Sequence, residues 1–146
     1  MDFGNYIRHL REQRRELSRR YTVREVARRI GVEPAYLGKI ERGDVSSPSE
    51  ETIRRLAAEL GEDADLLLAL AGKVASDVCE IIIGNPILFA ELIRGLSDVP
   101  EGELVLLVRK VRNGGMAGPR SRRRDDRLGR QPGPTSGADE GRSELG

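Results

Sequence analysis

The clearest candidates for chemistry in this sequence are polar and small side chains on one short stretch: Ala35, Tyr36, Lys39 and Arg42. Lysine and arginine donate hydrogen bonds to phosphate oxygens and to the acceptor edge of guanine, and small side chains contact the methyl group of thymine. A helix over residues 34–42 would leave these four side chains on its free face. They would fit the DNA major groove, which is about 12 Å wide.

Other kinds of site are not predicted. His9 has no partner at metal-ligand spacing and is expected at the surface. Cys79, the single cysteine, lies in an apolar run and is expected to be a small buried hydrophobe. Ser47 and Ser49 have no base partner and are interpreted as helix caps. The sequence contains no phosphate-binding glycine loop or nucleophile constellation, so we expect no metal, no cofactor and no enzyme activity.

The composition favours a small helical protein. Aromatic residues make up 3% and charged residues 34% of the chain, so the core must be aliphatic and the surface highly charged. Residues 1–42 carry 11 lysines and arginines against 6 acidic residues, as a phosphate-binding surface requires. The alternative is an ordinary charged, solvated face. The start of the chain lacks a signal-peptide pattern and the apolar runs are too short to cross a bilayer, so we expect a cytoplasmic protein.

Apolar residues at helical spacing predict the elements that position these side chains. Thr22 and Glu25 have the spacing of a capping box, which predicts the start of a helix. Gly31 predicts its end, and Pro34 suits the first position of the next helix. Predicted helices cover residues 3–16, 22–30, 34–42, the stretch from Ser47 or Ser49 to 60, and residues 63–71, 77–83, 86–96 and 101–112.

The second and third predicted helices are separated by three residues that begin with glycine, which is the signature of a helix-turn-helix. Ala27 must be small because the next helix crosses there. Gly31 can adopt the positive φ that ends a helix abruptly. The apolar side chains Val32, Leu37 and Ile40 would hold the third helix on the domain and leave its other face free.

Two longer patterns resemble the Cro/repressor-like (Xre-type) helix-turn-helix family. The first is Val-Ala-x-x-Ile-Gly-Val…Tyr-Leu-x-Lys-Ile-Glu-Arg-Gly within residues 26–43, and the second is Pro-Ser-x-Glu-Thr-Ile-x-x-Leu-Ala-x-x-Leu-Gly at residues 48–61. The similarity covers about residues 3–71. It implies an all-α fold, a five-helix repressor-like DNA-binding bundle.

The resemblance also implies roles for individual residues. Lys39 is the expected hydrogen-bond donor to a base, and Arg11 with Glu41 corresponds to a structural pair that ties the third helix to the first. At the start of the third helix the expected base contacts are Pro34, Ala35 and Tyr36. The expected phosphate contacts are Thr22, Val23, Arg24 and Arg42.

Several alternatives stay open at this level. Residues 15–21 form a connection about four residues longer than is usual in the family, and it is basic. Arg15, Arg19 and Arg20 either add DNA backbone contacts or belong to a longer solvated loop. Tyr36 faces either DNA or the core. Since Pro34 and Ala35 replace polar side chains, methyl contacts and DNA shape are the alternatives to readout through hydrogen bonds.

The predicted organisation is a helix-turn-helix domain over residues 1–72, a helical extension over 73–112 and a disordered Arg/Gly/Pro-rich tail over 113–146. In that tail, residues 122–124 form an arginine run, which is either solvated or binds nucleic acid non-specifically.

We expect a sequence-specific repressor that binds a double-stranded operator as a homodimer, with half-sites about 10 bp, or a multiple of this distance, apart. The extension either forms the dimer or wraps the N-terminal core. The competing hypothesis is an antitoxin-like or adaptor protein whose C-terminal helices bind a protein partner.

Overall fold

The computed structural model describes residues 2–114. Over this range it contains eight α-helices, one short 3-10 turn and no strand, which confirms the predicted all-α class. The helices are α1 (Phe3–Leu17), α2 (Val23–Ile30), α3 (Pro34–Arg42), α4 (Glu50–Leu60), α5 (Ala64–Leu70), α6 (Ser76–Gly84), α7 (Pro86–Gly95) and α8 (Glu101–Arg112). None of these helices is long and apolar enough to cross a membrane. The predicted tail lies outside the described residues, apart from Asn113 and Gly114, and so does the run at 122–124.

An aliphatic core holds α1 to α5 together. Each fully buried aliphatic side chain stabilises the fold by about 1.5–3 kcal/mol relative to an exposed one. The largest fully buried side chains come from all five helices: Ile7, Val26, Leu37, Ile53, Leu56, Leu60, Leu67 and Leu68. The helix-turn-helix pair α2 and α3 is therefore fixed on a scaffold made by the other three helices.

Side-chain caps set where the helices begin. The Thr22 hydroxyl oxygen accepts a hydrogen bond from the Glu25 amide at 3.2 Å. The Glu25 carboxylate accepts from Arg28 instead of reaching back, so only half of the predicted capping box forms. At α4 the cap is Ser49, which accepts from the Thr52 amide. Ser47, the other candidate, donates from its hydroxyl to the carbonyl of Ala71.

The connection between α1 and α2 is more regular than its sequence predicts. Arg19–Tyr21 forms a 3-10 turn, which Ser18 caps by accepting a hydrogen bond from the Arg20 amide at 3.3 Å. A three-residue turn is too short to show an apolar periodicity, and side chains of α1 and α2 hold its backbone through the carbonyls of Arg20 and Tyr21.

Helix α5 is slightly shorter than predicted. Asp63 caps it from outside by accepting a hydrogen bond from the Leu66 amide at 3.0 Å, so the helix begins at Ala64. Leu67 and Leu68 are buried, whereas Leu66 is 41% exposed. Successive residues of a helix are separated by about 100°, so burying the adjacent pair turns Leu66 towards solvent.

Residues 2–94 form one compact unit, and the beginning of α6 is attached within it. Ala75 is buried, and the backbone N–H and hydroxyl of Ser76 donate to Oε1 of Glu50 at 3.2 and 3.3 Å. The Ser76 amide, and after it Arg54, lowers the pKa of the Glu50 carboxyl. Lys73 donates to the carbonyl oxygen of Pro48 at 2.6 Å.

Beyond that attachment, α6 and α7 contain no buried residue. The prediction that Cys79 is buried is wrong, because this side chain is half-buried. The alternative that the extension wraps the core is wrong for these two helices. Seven of their apolar side chains are exposed: Val78, Ile81, Ile83, Ile87, Leu88, Leu92 and Ile93.

Residues 95–114 belong to a second unit, which contains α8. This helix has acidic residues in its first turn and basic residues in its last turn, a distribution that complements the helix dipole. It contains no buried residue. Four of its apolar side chains are exposed: Val105, Leu106, Val108 and Val111.

Candidate nucleic-acid interface

The two helices α2 and α3 are joined by the three-residue turn that the sequence predicts. Helix α2 ends because Gly31 adopts φ 76°, a left-handed conformation that side chains with a Cβ rarely adopt. The Val32 amide then donates to the Ala27 carbonyl at 3.0 Å, which closes the helix end. Ala27 is fully buried, as its small size predicts. Pro34 occupies the first turn of α3 after Glu33.

Helix α3 has one buried face and one free face. Leu37 and Ile40 are buried in the core. Tyr36 is half-buried, so one part of its side chain packs against the core and the other part is exposed to solvent. The remaining predicted contacts on this helix are all exposed: Pro34, Ala35, Lys39 and Arg42.

A buried ion pair positions α3. Arg11 donates to the two carboxylate oxygens of Glu41, from Nε at 2.6 Å and from Nη2 at 3.0 Å. Both side chains are buried, and Arg11 Nη1 also donates to the carbonyl of Tyr21 at 3.1 Å. One guanidinium therefore connects α1, α3 and the turn before α2. This geometry agrees with the structural role that the family resemblance implies.

Helices α1 and α3 also approach closely at Gly4. A Cβ at this position would lie 2.9 Å from the carbonyl oxygen of Glu41 and nearer still to that of Ile40. Because both neighbours are backbone atoms, only glycine allows this separation. The free face of α3 is thus set by a side-chain pair and by a backbone contact.

The three predicted contacts at the start of α2 differ in exposure. Thr22 and Val23 are half-buried, and Arg24 is exposed. The Thr22 hydroxyl oxygen is occupied by the Glu25 amide. This leaves the first-turn amides of Val23 and Arg24 as the donors available to an anion.

Arg42 has a partner that sequence reasoning missed. Its Nε donates to Oδ2 of Asp44 at 2.8 Å, and both side chains are more than half exposed. The pair forms because Gly43 ends α3 in a left-handed conformation and turns the chain back. An exposed ion pair contributes only about 0–1 kcal/mol, so a phosphate can compete with Asp44 for this arginine.

Other surface arginines are neutralised locally. Arg8 donates to Glu12 at 3.0 Å and Arg28 donates to Glu25 at 2.9 Å. In each case this hydrogen bond is the main cause that lowers the pKa of the carboxyl, so both carboxylates remain ionised at neutral pH. By contrast, Lys39 is exposed, and no carboxylate of the described residues lies within ion-pairing distance of it.

Arg29 is a second residue whose role the sequence did not indicate. Its Nε donates to Glu59 on α4, and its Nη2 donates to the carbonyl of Arg20 at 2.5 Å. Its guanidinium also lies 5.4 Å from the centroid of the Tyr21 ring. The sequence indicates only a local partner, Glu25, which lies four residues earlier and whose carboxylate is 4.0 Å from the Arg29 guanidinium. No sequence pattern pointed to the distant partner Glu59.

His9 does not belong to a metal-binding cluster in the part of the chain that the structure describes. His9 is exposed and shares a hydrogen bond with Gln13 at 3.0 Å. Among residues 2–114, no group of three or more histidine, cysteine, aspartate or glutamate side chains is placed to hold a metal ion.

Comparisons with known proteins agree with this geometry. Residues 2–70 match the model of a family described as "Helix-turn-helix domain", a span that corresponds to α1 to α5. The chain is also similar to "Uncharacterized HTH-type transcriptional regulator RghRB" of Bacillus subtilis (strain 168), with 36% identity over 72 residues. That alignment covers 49% of this chain and 48% of the relative, so the chain spans about half the length of that protein. No solved structure matches the chain.

Proposed function

We propose that this chain is a bacterial, cytoplasmic transcriptional regulator that binds a specific double-stranded DNA operator, because residues 2–70 match a helix-turn-helix domain family. We assign it to the Cro/repressor-like (Xre) type and to the role of a repressor. The observation that carries the proposal is the free face of α3, which is exposed and carries two cations, Lys39 and Arg42, while its opposite face and the Arg11–Glu41 pair are buried.

On this proposal α3 enters the major groove and Lys39 donates to the O6 and N7 acceptors of a guanine. Its exposure and lack of a carboxylate partner among the described residues support this role. Pro34 and Ala35 lie at the exposed start of α3 and contact base edges through apolar atoms, which suits a thymine methyl group. The exposed part of Tyr36 extends this contact.

Phosphate contacts set the orientation of the domain on the duplex. The first-turn amides of α2, with Thr22 and Val23, face one phosphate, and Arg24 adds a charge beside them. Arg42 contacts a second phosphate after it leaves Asp44. These contacts carry no sequence information, so they contribute to affinity for every duplex.

We further propose that the chain acts as a homodimer through residues 76–112. A single helix-turn-helix reads one half-site, and a two-fold dimer reads two half-sites separated by about one helical turn of DNA. The support is the set of exposed apolar side chains on α6, α7 and α8 described above, because exposed apolar surface of this kind marks interaction sites.

The same exposed side chains also fit one other function, that of an antitoxin-like or adaptor protein whose C-terminal helices bind a different protein. Binding measurements on the Lys39→Ala variant and on the unmodified protein distinguish the two functions. If binding of a partner persists after Lys39→Ala and operator binding is absent in the unmodified protein, the adaptor function replaces the regulator.

A salt-dependent titration tests the proposal. The full chain is titrated with the duplex that lies upstream of its own gene and with a scrambled duplex of the same composition. Operator binding predicts a preference of about a thousandfold or more, with affinity that rises steeply as salt falls. Weak binding that is equal on the two duplexes would contradict a specific operator and favour the protein-partner function.

A further inference from the structure

We propose that the connection between α1 and α2 is a second DNA-binding surface, which holds the phosphate backbone beside the start of α2. This surface includes the helix ends on either side of the connection, and we call it the basic ridge: Arg15 in the last turn of α1, Arg19 and Arg20 in the 3-10 turn, and Arg24 in the first turn of α2. The inference rests on the proposed DNA binding, and it extends the interface from α3 and the α2 start, where Arg24 lies, to Arg15, Arg19 and Arg20.

The backbone of the ridge is fixed by three anchors. The Arg20 carbonyl accepts a hydrogen bond from Arg29 at 2.5 Å, and the Tyr21 carbonyl accepts one from Arg11 at 3.1 Å. The Tyr21 ring lies under the Arg29 guanidinium. Arg11 is itself buried against Glu41, and Arg29 is bound to Glu59 on α4. These contacts fix the position of the turn relative to α2 and α3, which distinguishes it from a loop that contacts only solvent.

The same anchors leave the arginine side chains of the turn free. They engage the carbonyls of Arg20 and Tyr21 and the ring of Tyr21, while the guanidinium groups of Arg19 and Arg20 make no hydrogen bond with any described residue. The turn therefore presents two cations from an ordered backbone. Binding a phosphate then orders side chains only, and less conformational entropy is lost than for a flexible loop.

Charge is also distributed as a phosphate surface requires. Residues 14–24 contain five arginines and one carboxylate, Glu16. Arg15, Arg19, Arg20 and Arg24 are exposed, and none of them forms an ion pair with a described residue.

Two carboxylates near the ridge, Glu12 and Glu25, bind Arg8 and Arg28 instead. A phosphate can thus bind the ridge without breaking an ion pair, and its arrival releases condensed counterions from the DNA.

The ridge lies where it can reach the duplex. Tyr21 directly precedes Thr22, the N-cap of α2, and Arg24 lies in the first turn of that helix. If the first-turn amides of α2 meet one phosphate, Arg19 and Arg20 meet neighbouring phosphates on the same strand. These contacts do not involve base edges, so they raise affinity for all sequences by the same factor.

The test uses the full chain with the double variant Arg19→Gln, Arg20→Gln. Its matched control is Arg94→Gln, Arg109→Gln, which removes the same charge from exposed arginines of α7 and α8 that, like Arg19 and Arg20, form no ion pair with a described residue. Binding is measured on the upstream duplex and on the scrambled duplex between about 50 and 200 mM salt. Circular dichroism and thermal unfolding of each variant confirm that the fold is retained.

The ridge predicts that the slope of log K against log salt becomes shallower by about 1–2 in the Arg19/Arg20 variant, since each phosphate that the protein neutralises contributes about 0.9 to this slope. Affinity falls by the same factor on both duplexes, so the preference for the operator is unchanged. The control variant changes the slope by less than half as much.

Equal slopes in the two variants would overturn the ridge and leave operator binding by α3 in place. If the unmodified protein binds neither duplex, the proposed function fails and the ridge fails with it.

Discussion

Lys39 is the exposed cation near the middle of the free face of α3, and its role can be tested alone. Because its side chain makes no ion pair with the described residues, removing it should leave the fold intact. We predict that Lys39→Ala weakens operator binding by about 1–3 kcal/mol, the value of a good base contact. Fluorescence anisotropy on operator and scrambled duplexes measures the change.

The matched control for Lys39 is Lys110→Ala, which removes an exposed lysine from α8. This variant should retain the preference for the operator. If Lys39→Ala weakened binding to both duplexes by the same factor, Lys39 would be a phosphate contact and the base-reading role would be wrong.

Burial decides how much an ion pair contributes to this protein. Glu41 is buried against Arg11, whereas Glu12 pairs with Arg8 at the surface. We predict that Glu41→Ala lowers the free energy of unfolding by about 3–5 kcal/mol, since it leaves Arg11 buried without a partner. Glu12→Ala should lower it by no more than about 1 kcal/mol. Urea denaturation of the two variants compares them, and similar decreases would contradict the anchoring role of Glu41.

At the scale of elements, the separation of α1 and α3 depends on a glycine. In Gly4→Ala the new methyl group would collide with the carbonyls of Ile40 and Glu41, which belong to the backbone of α3 and cannot rotate away. We predict that this variant is destabilised by about 1–3 kcal/mol, the usual cost of overpacking. Operator affinity should fall as well, because α3 must move.

Gly38→Ala is the control for Gly4, since it is the same substitution in α3 itself. Its Cβ would meet only the guanidinium end of Arg42, a flexible group at the surface, at 3.2 Å. Alanine favours a helix over glycine by about 1 kcal/mol, so this variant should be at least as stable as the unmodified protein. Thermal unfolding that moves the two variants in the same direction would argue against a close contact at Gly4.

The link between α4 and α6 should depend on pH. The Ser76 amide holds the pKa of Glu50 below its ordinary range in the folded state, so the ionised form is favoured. The stabilisation is therefore present at neutral pH and is lost as the pH falls through the lowered pKa. We predict that the Ser76 amide resonance titrates with a midpoint below that of an ordinary glutamate, which is about 4.3. NMR at acidic pH measures this midpoint, and Glu50→Gln should abolish the transition.

At the scale of the whole molecule, the exposed apolar side chains of the extension indicate that it binds another chain. Ile83 and Ile87 are 73% and 75% exposed, so charges at these positions disturb no packing within the described chain. We predict that Ile83→Arg, Ile87→Arg converts the proposed homodimer to a monomer and leaves thermal unfolding of the helix-turn-helix domain unchanged. Sedimentation equilibrium measures the association.

Leu17→Arg is the control, since Leu17 is 88% exposed but lies at the end of α1. This variant should remain a dimer. The proposed homodimer is contradicted if the unmodified protein and both variants are monomeric, or if the Ile83/Ile87 variant still dimerises.

The sequence alone predicted the helices and the helix-turn-helix, because these depend on local rules. Apolar spacing, the Thr22 cap, the left-handed Gly31 and Pro34 at the start of α3 act within a few residues of one another, and the structure agrees with each of them. The Arg11–Glu41 pair is separated by 30 positions, and only the family resemblance pointed to it.

Only the tertiary structure decided the features that the sequence left open or did not indicate. It revealed the anchors of the 3-10 turn, since Arg29 reaches Glu59 and the Arg20 carbonyl across elements that are distant in sequence. It also placed Tyr36 between core and surface and left α6 and α7 exposed. These outcomes depend on how helices pack, and packing is set by the sum of many distant contacts that no local pattern of residues records.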